Sequence, residues 1–314
     1  MDKIAFIFPG QGAQYIGMGK DFYEQFEESK KIFDQAKEAL GMDLCALCFE
    51  ENDQLSITEY TQAAMVTTML AMTAHIHKLG IRPDVTAGLS LGEYAALTEC
   101  GVLTPLDAIR LVRKRGIFMQ EAVPVGKGAM AAVLGLDTEA TKKACEETEG
   151  IVSIANYNCP GQLVISGEKE AVEKAAEGCK AAGAKRVVPL NVSGPFHSRM
   201  LEEAGRKLEK ELENITFEDP AIPYVANVTA EYVTKKDGIK ESLAKQVSSS
   251  VMWQQSVEAM IKDGVTTFVE IGPGKTLSSF VKKIDRNVKV INIDKTDDLA
   301  KLEELRECGG KIEC

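Results

Sequence analysis

Residues 88–92 read Gly88-Leu89-Ser90-Leu91-Gly92 and match the pattern glycine-any-serine-any-glycine. The preceding Val85-Thr86-Ala87 predicts the end of a short buried strand, and the sequence from Leu91 to Glu99 predicts a helix. A serine between two glycines at such a turn is typical of a nucleophile elbow, where small neighbours allow a tight bend. Unpaired backbone N–H groups at the helix start favour an oxyanion. The stretch therefore predicts a nucleophilic serine in an α/β fold.

The overall composition indicates a globular protein that is large enough for two domains. The chain has 314 residues, of which 45% are hydrophobic and 27% are charged. Its formal net charge of −10 argues against a general nucleic-acid-binding surface, which needs a basic field. No segment reaches the roughly 18 apolar residues of a membrane span, and the first residues predict a buried strand rather than a signal peptide. Eight cysteines without framework spacing favour reduced thiols in the cytoplasm.

Strands and helices alternate along most of the chain, which predicts the α/β class with a mainly parallel sheet. Residues 130–192 instead predict strand, helix, two strands, helix and strand, the βαββαβ order of ferredoxin-like domains. We therefore expect a large α/β-hydrolase-like domain formed by residues 1–125 and 198–314, with a small ferredoxin-like domain of residues 126–197 inserted into it. The hydrophobic pattern also predicts one continuous helix over 21–40 and a strand over 222–228.

Three short motifs resemble ligand-binding patterns but are incomplete. Residues 9–14 lack the third glycine of a dinucleotide fingerprint, because the next position is Tyr15. Residues 272–276 end like a phosphate loop but have Val269 where its first glycine is required. Cys45-Ala46-Leu47-Cys48 has neither a second cysteine pair nor a nearby histidine. We therefore expect no metal ion and no bound cofactor.

A serine nucleophile needs a base, and histidine has a suitable pKa. Of the three histidines, His75 and His77 lie in the middle of a predicted helix, where they face different sides. His197 follows a predicted strand in a loop with glycine and proline, so it is the candidate base by elimination, although a structural loop histidine has the same pattern. No acid at a strand end between Ser90 and His197 can orient the imidazole, which leaves a neutral carbonyl for this role.

Arg115 lies at the edge of the apolar stripe of a predicted helix that begins after Thr104. Arginine is rarely buried without a partner, so two interpretations remain open. The side chain either extends over the protein surface to keep its charge in water, or it forms a planar cation that binds a carboxylate through two hydrogen bonds.

Five stretches together resemble the malonyl-CoA:acyl carrier protein transacylases of dissociated fatty acid synthesis, which are similar to the acyltransferase domains of polyketide synthases. These stretches are Ile7–Gly12, Gly88–Glu93, Arg115-Gly116, Gly194–Ser198 and Glu270–Gly274. They occur in the order and spacing of the family, and the resemblance covers nearly the whole chain.

The resemblance implies a transferase of fatty acid biosynthesis that moves a malonyl group from malonyl-CoA to the phosphopantetheine thiol of acyl carrier protein. In this ping-pong reaction, Ser90 would form a malonyl-serine ester with His197 as its base. The backbone N–H groups of Gln11 and Leu91 would form the oxyanion hole. Arg115 would bind the free carboxylate of the malonyl group.

The resemblance also implies roles for two further residues. The backbone carbonyl of Gln246 would orient His197, and Phe196 would favour malonyl over methylmalonyl units. The sequence departs from the family at two positions. Leu89 replaces a histidine that many members have, and Ser250 stands where a proline is common, which leaves the shape of the loop after Gln246 open.

An acidic chain that binds an acidic carrier protein needs a local basic patch. Two predicted helices carry candidates, although solvated helix faces have the same pattern. They are Arg110, Arg113 and Lys114 on one helix, and Lys275, Lys282, Lys283 and Arg286 on or beside the other.

Two alternative functions share part of this pattern. A serine esterase or thioesterase would use Ser90 and His197 with water as the acceptor, and it would have no need of Arg115. A non-catalytic carrier-binding module would not depend on Ser90. We expect the transferase, with malonyl-CoA and acyl carrier protein as its partners, and we expect it to be a monomer without membrane or nucleic-acid partners.

Overall fold

The computed structural model describes residues 3–192 and 194–308, and it describes side chains as far as residue 305. The outer limits of the expected large domain, residues 1 and 314, lie outside these ranges. The strands are β1 (Lys3–Phe8), β2 (Val85–Gly88), β3 (Gly128–Leu134), β4 (Val152–Cys159), β5 (Gln162–Glu168), β6 (Arg186–Pro189), β7 (Tyr224–Val225), β8 (Tyr232–Val233), β9 (Val265–Ile271) and β10 (Lys289–Ile293).

Most helices lie between these strands. They are α1 (Lys20–Gln25), α2 (Glu27–Leu40), α3 (Leu44–Phe49), α4 (Thr58–Lys78), α5 (Gly92–Glu99), α6 (Pro105–Ala122), α7 (Thr138–Glu146), α8 (Lys169–Ala181), α9 (Glu202–Glu213), α10 (Ile239–Gln246), α11 (Trp253–Lys262), α12 (Thr276–Ile284) and α13 (Glu303–Cys308). Two 3-10 helices cover Arg199–Leu201 and Thr296–Leu302. No helix within the described ranges combines the length and apolar character needed to cross a membrane.

The larger sheet has the strand order β10-β9-β1-β2-β7-β8 and is parallel except for the pair β7–β8. Its central strand β1 alternates between two hydrophobic cores. Phe6 and Phe8 belong to the core on one face, and Ala5 and Ile7 belong to the core on the other face. Because both faces are covered, β1 is a continuous apolar run rather than an alternating one. The expected α/β class with a mainly parallel sheet is confirmed.

The smaller sheet has the strand order β4-β5-β3-β6 and is antiparallel throughout. Together with α7 and α8, it follows the βαββαβ order that the sequence predicts. One face packs on both helices, around residues such as Val133 and Val172. The opposite face contributes Met130 and Val164 to the main core. The face of the smaller sheet that α7 and α8 do not cover therefore packs against the main core.

Two predicted elements differ from the structure. The helix expected over 21–40 is divided at Phe26, which has extended backbone angles of φ −127° and ψ 122°. The Phe26 ring stacks on the imidazole of His75, with 3.4 Å between ring centroids, and this tertiary contact outweighs local helix propensity. The strand expected over 222–228 is reduced to β7, because Asn227 leaves the sheet and bonds to the backbone of Ser90.

Candidate active site

Ser90 lies at a sharp turn between β2 and α5. Its φ angle of 53° is in the left-handed region, which is rare for a residue other than glycine. A Cβ atom at Gly88 would lie 2.0 Å from the carbonyl carbon of Gly92, and one at Gly92 would lie 2.1 Å from the carbonyl oxygen of Phe8. Both glycines are therefore required by close backbone contacts, and the turn has the geometry of a nucleophile elbow.

His197 connects Ser90 to Gln246. The Oγ atom of Ser90 is 2.7 Å from Nε2 of His197, and Nδ1 of His197 is 2.8 Å from the backbone oxygen of Gln246. Since a carbonyl oxygen only accepts, Nδ1 carries the proton and Nε2 is free to accept the serine proton. The structure thus brings these three predicted residues together, with a neutral carbonyl in the place where many serine hydrolases have an acid.

The environment of His197 keeps its ring neutral. Burial lowers the pKa of His197 to about 4, and the nearby positive charge of Arg115 acts in the same direction. An imidazole with this pKa is unprotonated at pH 7. His197 is therefore in the form that a general base requires.

Arg115 is buried beside the serine, with 1% of its surface exposed. Its Nη1 donates to Oε1 of Gln62 at 2.8 Å. Its Nη2 donates to Oε1 of Gln246 at 2.9 Å and lies 3.3 Å from Oγ of Ser90. The interpretation as a surface arginine is wrong, because α6 turns this side chain inward, toward residues of α4 and α10.

The side chains that form hydrogen bonds with the Arg115 guanidinium are neutral. Within residues 3–192 and 194–305, it forms no ion pair with a carboxylate closer than 4.0 Å, and its Nε atom has no hydrogen-bond partner. A buried cation without a counter-ion is costly, so such a site favours an anion that arrives with the ligand.

Gln11 and Leu91 lie on either side of the serine. Both line the same cavity as Ser90, and neither backbone N–H donates a hydrogen bond to another described residue. The N–H of Ser90 itself is occupied, because it donates to Oδ1 of Asn227 at 2.6 Å. The side chain of Gln11 is fixed by a 3.1 Å hydrogen bond to Oγ1 of Thr58. Two free N–H groups therefore remain for an oxyanion.

The cavity in front of the serine has a volume of about 180 Å³. Phe196 is 7% exposed and forms part of its wall together with Leu89, the residue that departs from the family pattern. Met130, Asn156 and other residues of the smaller sheet also line it. The smaller sheet therefore forms part of the boundary of the cavity in front of Ser90.

The sequence interpretation gave no role to Gln62, Glu93 and Asn227, which all contact the site. Glu93 and Asn227 are each 1% exposed, and so is Gln62. A polar residue in the apolar part of α4 or directly after the elbow must find a buried partner. A polar residue at such a position therefore indicates a buried hydrogen bond, but the sequence does not identify the partner.

Histidine, cysteine, aspartate and glutamate are the side chains that usually bind metal ions in proteins. In the described parts of the chain, no group of three or more histidine, cysteine, aspartate or glutamate residues could hold a metal ion.

Comparison with known proteins identifies the family. Residues 5–296 match the family described as acyl transferase domain. The chain is 49% identical over 313 residues to the malonyl CoA-acyl carrier protein transacylase of Bacillus subtilis, a match that covers 98% of each protein. The crystal structure of malonyl CoA-acyl carrier protein transacylase from Clostridium perfringens has a TM-score of 0.94 and 48% identity, with 98% of each chain covered.

A second similar structure contains a carrier protein. It shows a type II polyketide synthase acyl carrier protein in complex with its malonyl-transacylase. The match has a TM-score of 0.94 and 41% identity, and it covers 97% of this chain and 100% of the other. The chain therefore belongs to the acyl transferase family and, within it, to the malonyl-CoA:acyl carrier protein transacylases.

Proposed function

We propose that this protein transfers the malonyl group from malonyl-CoA to the phosphopantetheine thiol of acyl carrier protein and so supplies fatty acid synthesis. The observation that carries this proposal is the position of Arg115, whose Nη2 is 3.3 Å from Oγ of Ser90. A nucleophile beside a buried cation matches a substrate that has both a thioester and a free carboxylate. Malonyl-CoA is such a substrate, whereas an ordinary ester is not.

In the first half-reaction, Oγ of Ser90 attacks the thioester carbon of malonyl-CoA. Nε2 of His197 takes the hydroxyl proton, and the N–H groups of Gln11 and Leu91 stabilise the oxyanion. The carbon–sulfur bond then breaks, and the leaving thiolate receives the proton from His197. The products are free CoA and a malonyl ester of Ser90.

In the second half-reaction, the carrier thiol attacks the ester carbon and gives its proton to His197. The ester bond breaks, and Oγ of Ser90 takes the proton back. The carrier holds the malonyl thioester, and the enzyme has returned to its starting state. Apart from the two substrates, every group in this cycle is a side chain or backbone group of the chain itself, which supports the expectation that no cofactor is needed.

Arg115 would select the malonyl group. A hydrogen bond to a charged partner contributes about 1.5–3 kcal/mol, which corresponds to roughly tenfold or more in rate or affinity. An acetyl group has no carboxylate and leaves the cation unpaired. Phe196, in the wall of the cavity, is the residue that we propose to disfavour the additional methyl group of methylmalonyl units.

We propose the basic residues around α12 as the docking face for acyl carrier protein. In the other candidate cluster, Arg113 is paired with Glu59 at 2.6 Å and Lys114 is paired with Glu211. Within the described residues, none of the basic side chains on or beside α12 forms an ion pair with a carboxylate. Helix α12 itself lines the cavity through Thr276 and Phe280. These four exposed residues, the α12 basic cluster, are Lys275, Lys282, Lys283 and Arg286.

Several whole-chain properties also remain proposals. We propose that residues 126–197 form a distinct inserted domain, which is supported by the separate core between the smaller sheet and its helices.

The cysteines with described side chains are free thiols, which is typical of the cytoplasm. Among residues 3–192 and 194–305, Ile57 and Val125 are the large hydrophobic residues that are exposed, which supports a monomer without membrane partners. The acidic net charge of −10 argues against nucleic acid.

Intact mass after brief mixing with malonyl-CoA tests the proposed function. The wild type should gain one malonyl group that holo acyl carrier protein removes, and Ser90→Ala should gain none. Rapid release of free malonate without an acceptor would indicate a thioesterase instead. Carrier binding without any adduct, unchanged in Ser90→Ala, would indicate a non-catalytic binding module.

A further inference from the structure

The side chain of Gln246 joins three parts of the site. Its Nε2 donates to the backbone oxygen of Ser90 at 2.9 Å and to Oε2 of Glu93 at 2.6 Å. Its Oε1 accepts from Nη2 of Arg115 at 2.9 Å. This side chain is fully buried, so each of its contacts is made with protein groups. The role that the family resemblance implies for Gln246 uses only its backbone carbonyl and leaves the amide unexplained.

The orientation of this amide depends on what faces each end. A guanidinium can only donate and therefore needs the oxygen of Gln246. If the amide turned over, its NH₂ group would face Arg115, and its oxygen would face Glu93. Glu93 offers an oxygen at 2.6 Å and, together with the backbone oxygen of Ser90 at 2.9 Å, selects the orientation that suits Arg115. The second oxygen of Glu93 accepts from the backbone N–H of Asn227 at 3.3 Å, which holds the carboxyl group in place.

Arg115 has few other restraints. Apart from Gln246, its terminal nitrogens donate to Oε1 of Gln62, and one of them lies near the serine hydroxyl. Loss of the Gln246 contact would release Nη2, the nitrogen that lies on the side of Ser90. A malonyl carboxylate must meet the guanidinium in one geometry while its thioester reaches Ser90. Small displacements of such groups have large effects on rate.

We propose that Glu93 is a positioning residue that orients the side-chain amide of Gln246 and thereby holds Arg115 for the carboxylate of the substrate. This inference rests on the proposed function and assigns a specificity role to a carboxyl group that touches neither the substrate nor the reacting atoms. Glu93 acts by placing one carboxyl oxygen within hydrogen-bond distance of the Gln246 amide.

The surroundings of Glu93 indicate that it acts through the position of its carboxyl oxygen rather than through its negative charge. Burial raises the pKa of Glu93 to about 7, against the opposing effects of the hydrogen bonds from Gln246 and Asn227 and of the charge on Arg115. At this pKa the carboxyl group is partly protonated near neutral pH. A protonated carboxyl group keeps one accepting oxygen, which can still take the hydrogen bond from Gln246, so this contact does not require the charge.

Two substitutions at Glu93 distinguish the effect of side-chain length from the effect of charge. Glu93→Gln keeps the chain length and one accepting oxygen without the charge, so it can still accept from Nε2 of Gln246, although its NH₂ group then faces the N–H of Asn227. Glu93→Asp keeps the carboxylate but is shorter by one methylene group. We would measure single-turnover formation of malonyl-serine and acetyl-serine by intact mass in the wild type and in both variants. The ratio of the two rates reports selection of the carboxylate, whereas a general loss of structure slows both rates alike.

We expect Glu93→Gln to keep the malonyl-to-acetyl ratio within about threefold, and Glu93→Asp to lower it by about tenfold or more, as for the loss of a hydrogen bond to a charged group. A ratio lost in Glu93→Gln but kept in Glu93→Asp would assign the effect to charge and overturn the proposal. Equal loss in both variants, or no change in either, would overturn it as well.

Thermal unfolding of each variant checks that the fold is retained. If Glu93→Asp does not fold, Glu93→Met replaces it, because methionine has a similar volume and lacks both oxygens, and the same loss of ratio is expected. Failure of the wild type to form malonyl-serine would contradict the proposed function itself. A wild-type adduct with the wrong pattern of variants would contradict only the role of Glu93.

Discussion

Ser90 and His197 both have left-handed backbone conformations, with φ angles of 53° and 58°. Such conformations cost a non-glycine residue of the order of 1–3 kcal/mol, and they persist only where surrounding contacts hold them. For Ser90 these contacts are the bonds of its N–H to Asn227 and of its carbonyl to Gln246. The strain places the hydroxyl and the imidazole 2.7 Å apart, so at the residue scale it serves the chemistry.

The lowered pKa of His197 predicts activity under acidic conditions. Because the folded pKa of His197 is about 4 against an ordinary value of 6.5, its imidazole stays neutral until the pH approaches 4. Single-turnover malonylation of Ser90, measured against pH, should therefore lose rate near pH 4 rather than near 6.5. The unfolded chain binds this proton more readily between those two pH values, so His197 should also reduce the free energy of unfolding as the pH falls from 6.5 toward 4.

Glu93 provides the control for this experiment, because burial raises its pKa to about 7. The same profile is measured in Glu93→Gln, which cannot titrate at that position. An acid limb near pH 6.5 that is still present in this variant would contradict the neutral environment of His197.

At the scale of the elements, the elbow depends on how closely α5 approaches β1. The first residue of α5 is Gly92, and its Cα faces the carbonyl oxygens of Phe8 and Pro9. The same contact keeps the loop after β1, which carries Gln11, beside Ser90. Sequence periodicity identifies a strand and a helix here, but only the glycines indicate that they touch.

Gly92→Ala should unfold the elbow or force α5 away from β1. A Cβ atom would lie 2.1 Å from the carbonyl oxygen of Phe8, so we expect a loss of about 3 kcal/mol in the free energy of unfolding, at the upper end for overpacking. Denaturant unfolding measures this loss.

Gly178→Ala is the matched control, since this glycine lies inside α8 and its added Cβ atom would be 3.4 Å from the Cβ atom of Ala144. It should be neutral or stabilise the protein by up to about 1 kcal/mol. Similar losses in both variants would mean that the effect is not specific to the elbow.

At the scale of the whole molecule, the loop between α10 and α11 is bonded to the smaller sheet. The N–H of Val251 donates to the oxygen of Ala155 at 2.8 Å, and its oxygen accepts from the N–H of Tyr157 at 2.9 Å. Ser250, which replaces the proline that is common in the family, donates its hydroxyl to the oxygen of Ile154 at 2.6 Å. This departure therefore adds a bond between the loop after α10 and the smaller sheet, and the contact from Gln246 to His197 is retained.

The charge distribution predicts where an acidic carrier protein docks on a chain of net charge −10. Reversing two residues of the α12 basic cluster, with Lys283→Glu and Arg286→Glu together, should slow the discharge of malonyl-serine by holo carrier protein about tenfold at low salt, because exposed charges steer association. Discharge by free pantetheine should be unaffected, since this small thiol needs no docking face.

The control carries the same charge change on α2, as Lys30→Glu and Lys31→Glu, two exposed lysines outside the cavity. A loss of rate of equal size in this control would show that net charge, rather than a docking face, controls the reaction. The difference between the two double variants should shrink as the salt concentration rises.

Much of the architecture could be predicted because its signals are local. The strand, turn and helix around Ser90 follow from neighbouring residues, and the βαββαβ order of the smaller sheet follows from periodicity. The predictions were wrong where a distant contact prevailed. Phe26 breaks a predicted helix because its ring stacks on His75, and Asn227 shortens a predicted strand because it bonds to Ser90.

The α/β class, the elbow serine and, through the resemblance, the family can be derived from the sequence, because glycine spacing, hydrophobic period and ordered motifs are properties of neighbouring residues. The burial of Arg115 beside Ser90 and the contact of Glu93 with the amide of Gln246 emerge from the folded structure alone. Those contacts join residues far apart in the chain. Their distances depend on how the helices pack around the sheet, and no local pattern encodes that packing.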